Sequence, residues 1–152
     1  MIRRISPQEL LFQEYVVGTV RKSRVYLTKS VICSLNAKVY RKLRKKHRLD
    51  NSKVFISTKV LKHIYDDHAT YFKEIIPNLD LIIRLPDAVY KNKPGKGGEY
   101  LFIKKLKGQT YCVVLDILLQ QKISICEIRT SFNTPRPELY LRGSECIYKT
   151  SH

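Results

Sequence analysis

The chain has 152 residues, 43% hydrophobic and 10% aromatic, which suits one domain with a core of its own. Its 29 Lys and Arg against 13 Asp and Glu give a formal charge of +16. That excess is far beyond what solubility needs, so a polyanion is the expected partner, and nucleic acid is the commonest one. No apolar run of about 18 residues is present to span a bilayer, and no membrane partner is expected.

In chain order, the first 35 residues read mostly as strands. Glu14 to Val20 and Arg24 to Leu35 are rich in β-branched and aromatic residues, with Gly18 and Lys22-Ser23 as punctuation. Ser34-Leu35-Asn36 then leads into a helix from Ala37 to Arg48, whose Val39 and Leu43 form one narrow apolar stripe. The remainder of that helix is almost wholly basic. Lys38, Arg41, Lys42, Arg44, Lys45, Lys46 and Arg48 repel each other with no acid among them, which predicts an anionic partner. Asp50-Asn51-Ser52 breaks the pattern, and Val54-Phe55-Ile56 is a short extended piece. Ser57 or Thr58 caps a helix running to about His68. Pro77 suits the first turn of a further helix through about Arg84, which Pro86 stops.

The second half changes character. Lys93 to Gly98 is a basic, Gly-rich loop. Glu99 to Leu106 is a strand, Lys107-Gly108-Gln109 a hairpin turn, Thr110 to Leu119 a long apolar strand, and Ile123 to Phe132 its neighbour. Leu139 to Leu141 reads as a short edge strand after Pro135 and Pro137. The expected fold class is α+β, with N-terminal strands and helices packed on a C-terminal antiparallel meander. Residues 1–152 make one domain, with a basic extension over 1–50 and a core over 54–141. In Ile123–Phe132 simple alternation points Arg129 and Thr130 to opposite faces, unless a bulge or the strand end intervenes.

Cys33, Cys112, Cys126 and Cys146 are far apart and form no C-x-x-C pair. This usage favours a reducing compartment, although an even count leaves disulfides open. No apolar signal segment is visible near Met1, so the expected location is cytoplasmic. No cofactor or metal site is expected.

Four stretches carry a resemblance. They are Leu61-Lys62-His63-Ile64-Tyr65-Asp66-Asp67-His68, Leu85-Pro86-Asp87-Ala88-Val89-Tyr90, Tyr100-Leu101-Phe102-Ile103-Lys104-Lys105 and Arg129-Thr130-Ser131-Phe132. From about Val54 to Leu141 the chain resembles the phage-associated nucleases of the barnase–EndoU–colicin–RelE-like fold group. The resemblance implies a barnase/RelE-like core and a metal-independent ribonuclease. Many members of that group are toxins restrained by an antitoxin or immunity protein, and an acidic inhibitor would suit this charge.

The residues fit that chemistry. Metal-free RNA cleavage needs a base for the ribose 2′-hydroxyl, an acid for the departing oxygen and cations for the phosphorane charge. His63 and His68 are candidates for acid and base, and Asp67, four residues on, could orient His63. Five residues separate the two histidines, roughly 140° around a helix, so they cannot share a helical face unless His68 lies past the end. Lys104 and Arg129 are candidate charge stabilisers, and Thr130 and Ser131 could donate to a phosphate oxygen. Lys105 and Tyr140 join the basic helix as candidate RNA contacts, the tyrosine by stacking. A non-catalytic RNA- or DNA-binding module is the alternative, with a basic interaction protein behind it.

Overall fold

The first helix begins where Ser6 accepts from the Glu9 backbone N–H while the Glu9 carboxylate accepts from Ser6, a reciprocal capping box with Pro7 at the first helical position. It is α1 (Pro7–Tyr15) in a computed structural model that describes residues 5–17, 27–95 and 97–150. The strand expected over 14–20 is therefore corrected at Glu14 and Tyr15, which end a helix, and its residues 18–20 lie outside the described ones. The start of the strand expected from Arg24 also lies outside them, and β1 spans Lys29–Ser34.

Helix α2 (Ala37–Lys46) follows, with the Asn36 side chain accepting from the N–H groups of Lys38 and Val39. Strand β2 (Leu49–Ser57) comes next. Asp50, Asn51 and Ser52, expected to break structure, lie inside it, between Leu49, which pairs with Ser124 from later in the chain, and Lys53, where the antiparallel pairing with β1 begins; the Leu35 N–H donates to the Ser52 carbonyl. Ser57 caps α3 (Thr58–Asp67), and α4 (Ala69–Ile75), a helix without a local sequence signal, begins one residue later. Pro77 sits in a 3-10 turn (Ile76–Asn78) that leads into α5 (Leu79–Arg84). Strand β3 (Ala88–Lys91) precedes the meander β4 (Tyr100–Leu106), β5 (Gln109–Gln120) and β6 (Ile123–Asn133). The edge strand expected at Leu139–Leu141 is instead a short helix, α6 (Pro137–Tyr140). Pro137 fixes its first φ, and the Leu141 N–H donates to the Pro137 carbonyl at 2.9 Å. Strand β7 (Cys146–Lys149) is the last element among the described residues.

The protein is α+β, with one seven-stranded sheet in the order β1-β2-β6-β5-β4-β3-β7. Every neighbouring pair is antiparallel except β2 with β6. One face carries the main core: Val54, Ile56, Val89, Tyr100, Phe102, Tyr111, Val113, Leu115 and Ile128 meet Leu11, Val39, Leu43, Leu61, Ile64, Ile75, Leu79 and Ile82 from the helices. Each such aliphatic side chain contributes about 1.5–3 kcal/mol by leaving water. Leu11, Val16, Ile32, Leu35, Val39, Leu43 and Leu49 therefore belong to this core. The opposite face holds a second, smaller cluster: Leu101, Ile103, Cys112 and Val114 beneath Tyr90, Phe132 and Leu141.

Strand β2 pairs with only the first half of β6 and then runs directly into α3. The later half of β6 is thus left for α3 and α4 to cover. This junction positions the candidate site.

Candidate functional site

Helix α3 presents Leu61 and Ile64 to the core, which turns the two histidines at its end away from it. His63 Nδ1 lies 2.7 Å from Asp67 Oδ2, one turn on, so that nitrogen carries the proton and Nε2 is left for other chemistry. His68 is the residue between α3 and α4, with φ −129° and ψ 36°. Leaving the helix removes the angular objection: the rings of His63 and His68 meet edge-on, with centroids 5.9 Å apart. Burial lowers the His68 pKa from its ordinary 6.5, and the nearby His63 lowers it further against the opposing pull of Asp67. His68 is therefore held toward its neutral form.

The His68 ring in turn packs on Phe132 of β6 (6.0 Å), and Phe132 on Tyr140 of α6 (5.2 Å). Thr130 stands one pleat from Phe132 on the same face, roughly 7 Å along the strand. Its Oγ1 is buried with no hydrogen-bond partner among the described residues. Beside it the ladder slips: Val114 faces Thr130 and Leu115 faces Ile128, so Arg129 is the extra residue of a β-bulge. Arg129 keeps the alternation of Glu127, which faces Asp116, and the bulge turns Thr130 onto that same face; the Arg129 Nη1 lies 3.3 Å from Asp116 Oδ2. The Gly-rich loop closes over the same spot. A Cβ on Gly97 would stand 2.7 Å from Arg129 Nε, and one on Gly98 only 2.2 Å from Val114 Cγ1. A shallow cavity of about 310 Å³ opens between Asn92 and Lys93 on one side and Leu139 and Tyr140 on the other.

His63, His68, Phe132 and Tyr140 thus form a chain of ring contacts, and Thr130 and Arg129 stand on the same face of β6 as Phe132. Two of the expected catalytic residues do not join them. Lys104 alternates onto the helix face, where its ammonium donates to the Leu85 carbonyl at 2.6 Å and lies 3.6 Å from Asp87. It pins the α5–β3 connection. Ser131 is fully buried and donates to the Cys112 carbonyl at 2.9 Å. Lys105 alternates onto the site's face and is exposed, two strands away.

The basic helix is separate. Lys38, Arg41, Lys42, Arg44, Lys45, Lys46 and Arg48 are all exposed, while Val39 and Leu43 anchor the helix to the main core. Lys42 reaches the Ile147 carbonyl at 2.5 Å and so ties α2 to β7. At the helix end, the Tyr100 hydroxyl and His47 Nε2 share a hydrogen bond of 2.8 Å. Burial holds that tyrosine up at about 12 and lowers the histidine.

Two contributors are not evident from residue type and spacing. Phe132 lies inside a quoted motif but has no chemical role of its own to mark it. Asp116 is a lone acid in a long apolar strand, and that oddity is the available signal.

Among the described residues, no cluster of three or more His, Cys, Asp or Glu could hold a metal ion, and no helix is long and apolar enough to cross a membrane. Comparisons with known protein families, curated proteins and solved structures find no match.

Proposed function

We propose that this protein is a metal-independent endoribonuclease in which His68 is the general base and His63 the general acid. The observation that carries the reading is the pair itself. Two imidazoles in edge contact are differently set, one tied to a carboxylate and one half-buried against an aromatic ring. Neighbouring groups with divergent environments are how one site runs acid and base chemistry at the same pH.

In the proposed reaction neutral His68 takes the proton from a ribose 2′-hydroxyl. The 2′-oxygen forms a bond to phosphorus, and the bond from phosphorus to the 5′-oxygen breaks. His63, protonated at Nε2 and held through Nδ1 by Asp67, gives its proton to that departing oxygen. The product is a 2′,3′-cyclic phosphate and a 5′-hydroxyl. Arg129 and Thr130 supply a charge and a hydroxyl to the phosphorane. Tyr140 and Phe132 offer rings on which a base can stack. The charge of +16 holds the polyanion. That charge also suits an acidic inhibitor, so a toxin with a protein antitoxin belongs to the same proposal.

The test is cleavage of RNA in EDTA by wild type, His63→Ala and His68→Ala. Each substitution is expected to reduce the rate about 100-fold or more while far-UV circular dichroism stays unchanged. Salt-dependent RNA binding without cleavage would refute catalysis and leave a binding module.

A further inference from the structure

We propose that the tip of the β5–β6 hairpin is an apolar wedge that enters a stack of RNA bases while the RNA phosphates lie along α2. The inference rests on the reading that the partner is RNA, and it adds a contact remote from the histidines. From Ser124 to Phe132 is roughly 25 Å of strand.

Three large apolar side chains stand in water at this tip: Leu119 is 74% exposed, Ile123 42% and Leu118 36%. The turn between them is Gln121-Lys122, and both residues have positive φ, 47° and 74°. A two-residue hairpin needs such angles to match the twist of its strands, and Asn-Gly is the pair that adopts them most readily. Here a long polar residue and a cation occupy the strained positions instead, so the tip also presents an ammonium. The tip lies against the end of the basic helix. The Ser124 N–H donates to the Arg48 carbonyl at 3.1 Å, and Leu49 is paired with Ser124. Arg44, Lys45 and Lys46 form the last turn of α2, with Arg48 just beyond. The acid nearest in sequence is Asp50.

The combination selects an occupant. Three side chains are too few for a stable protein interface, which buries about 1,200–2,000 Å². A planar lipid surface would be met by several cations around the tip, whereas apart from Lys122 those named here run away from it, from Arg48 and Lys46 back along α2 to Lys38. A linear polyanion follows such a stripe, and leucine or isoleucine then needs only one base step to enter, at the cost of local unstacking.

The test uses a 2′-O-methyl RNA hairpin, which lacks the attacking hydroxyl, with 2-aminopurine in its stem. Wild type is expected to bind it with a rise in 2-aminopurine fluorescence, the signature of unstacking. The double variant Leu119→Ser, Ile123→Ser changes only exposed side chains and is expected to lose that rise. Its affinity should fall about tenfold, with the slope of log K against log salt unchanged because no phosphate contact is removed. Binding by wild type without a fluorescence rise, or a rise retained by the variant, would overturn the wedge. So would unchanged RNA binding together with lost sedimentation on phosphatidylserine vesicles, which would assign the tip to lipid. Cleavage of unmodified RNA is scored separately. Cleavage without the fluorescence signal sinks the wedge alone, and the signal without cleavage sinks the ribonuclease alone.

Discussion

Gly98 offers the most direct test of how the site is held together. Its φ is +90°, and a Cβ there would stand 2.2 Å from Val114 Cγ1, a branched side chain packed in the smaller core cluster. Two costs follow for Gly98→Ala. A left-handed backbone costs an L-residue ~1–2 kcal/mol. Forcing a methyl into packed space costs a further ~1–3 kcal/mol. The sum, ~2–5 kcal/mol, would lower Tm by ~4–20 °C for a chain of this size. Gly108 is the control, since its φ is +78° but nothing lies within 4 Å of its added Cβ. Gly108→Ala should therefore show the backbone cost alone. Gly97→Ala differs again, because the obstacle is the mobile end of Arg129 at 2.7 Å. It should leave stability nearly unchanged while shifting the guanidinium and slowing RNA cleavage. Urea unfolding of the three variants decides the matter. If Gly98→Ala is no less stable than Gly108→Ala, the Gly-rich loop does not press on Val114 and does not close the site.

Thr130→Val replaces a buried hydroxyl, unpartnered among the described residues, with a methyl of the same shape. Stability should hold or rise by about 1 kcal/mol, while cleavage falls at least tenfold; unchanged cleavage would remove Thr130 from the chemistry. Burial lowers the pKa of both His68 and His47 from 6.5. The folded protein then binds fewer protons than the unfolded chain below that pH. The stability these groups contribute is complete above 6.5 and is lost as the pH falls through 6.5 toward the lower folded values. The urea midpoint should drop between about pH 7.5 and 5, and the drop should shrink in His47→Gln, His68→Gln; an equal drop would refute the assignment. Burial pushes the Cys33 and Cys126 thiols up to about 12 and raises Cys112 as well, whereas Cys146 is exposed. Iodoacetamide should label Cys146 first, with the other three reacting only on unfolding; mass spectrometry showing early Cys33 labelling would contradict this.

The helices with a strong local signal are legible in the sequence. Asn36 and Ser57 are visible as caps, and the Val39–Leu43 stripe marks the face that α2 buries. The meander is legible too, because β5 and β6 are long and β-branched with a glycine turn before them. Helix α1 is harder to see although Ser6-Pro7-Gln8-Glu9 spells a capping box, because aromatic and valine content downstream points toward strands. Strand β7 carries only Cys146, Ile147, Tyr148 and Lys149, and it exists because β3 offers it an edge. That pairing joins segments more than 50 residues apart and leaves no local trace. The parallel contact of β2 with β6 is equally non-local.

The candidate site shows why residue type and spacing alone could not choose its members. Alternation assigns Lys104 and Lys105 to opposite faces, and only the strand order reveals which face meets α3. Alternation also separates Arg129 from Thr130. The single extra residue at the bulge turns Thr130 and Phe132 onto the face that Arg129 shares with Glu127, and Asp116 across the ladder then fixes where the guanidinium rests. His68 reaches the group by the same kind of exception, since it belongs to neither flanking helix and its backbone turns the ring toward Phe132. The grouping of Arg129 with Thr130 and the reach of His68 to Phe132 therefore both depend on breaks in regular structure. Deleting Arg129 would leave Ile128 and Thr130 adjacent and on the opposite faces they already occupy. The ladder would close without its bulge, Ile128 would stay buried, and the guanidinium would be lost. Arg129→Lys keeps the bulge and the charge but removes the planar fork that meets Asp116 and, in the proposed reaction, would also meet a phosphate. A loss of cleavage in that variant at unchanged stability would locate the effect in the guanidinium and not in the strand.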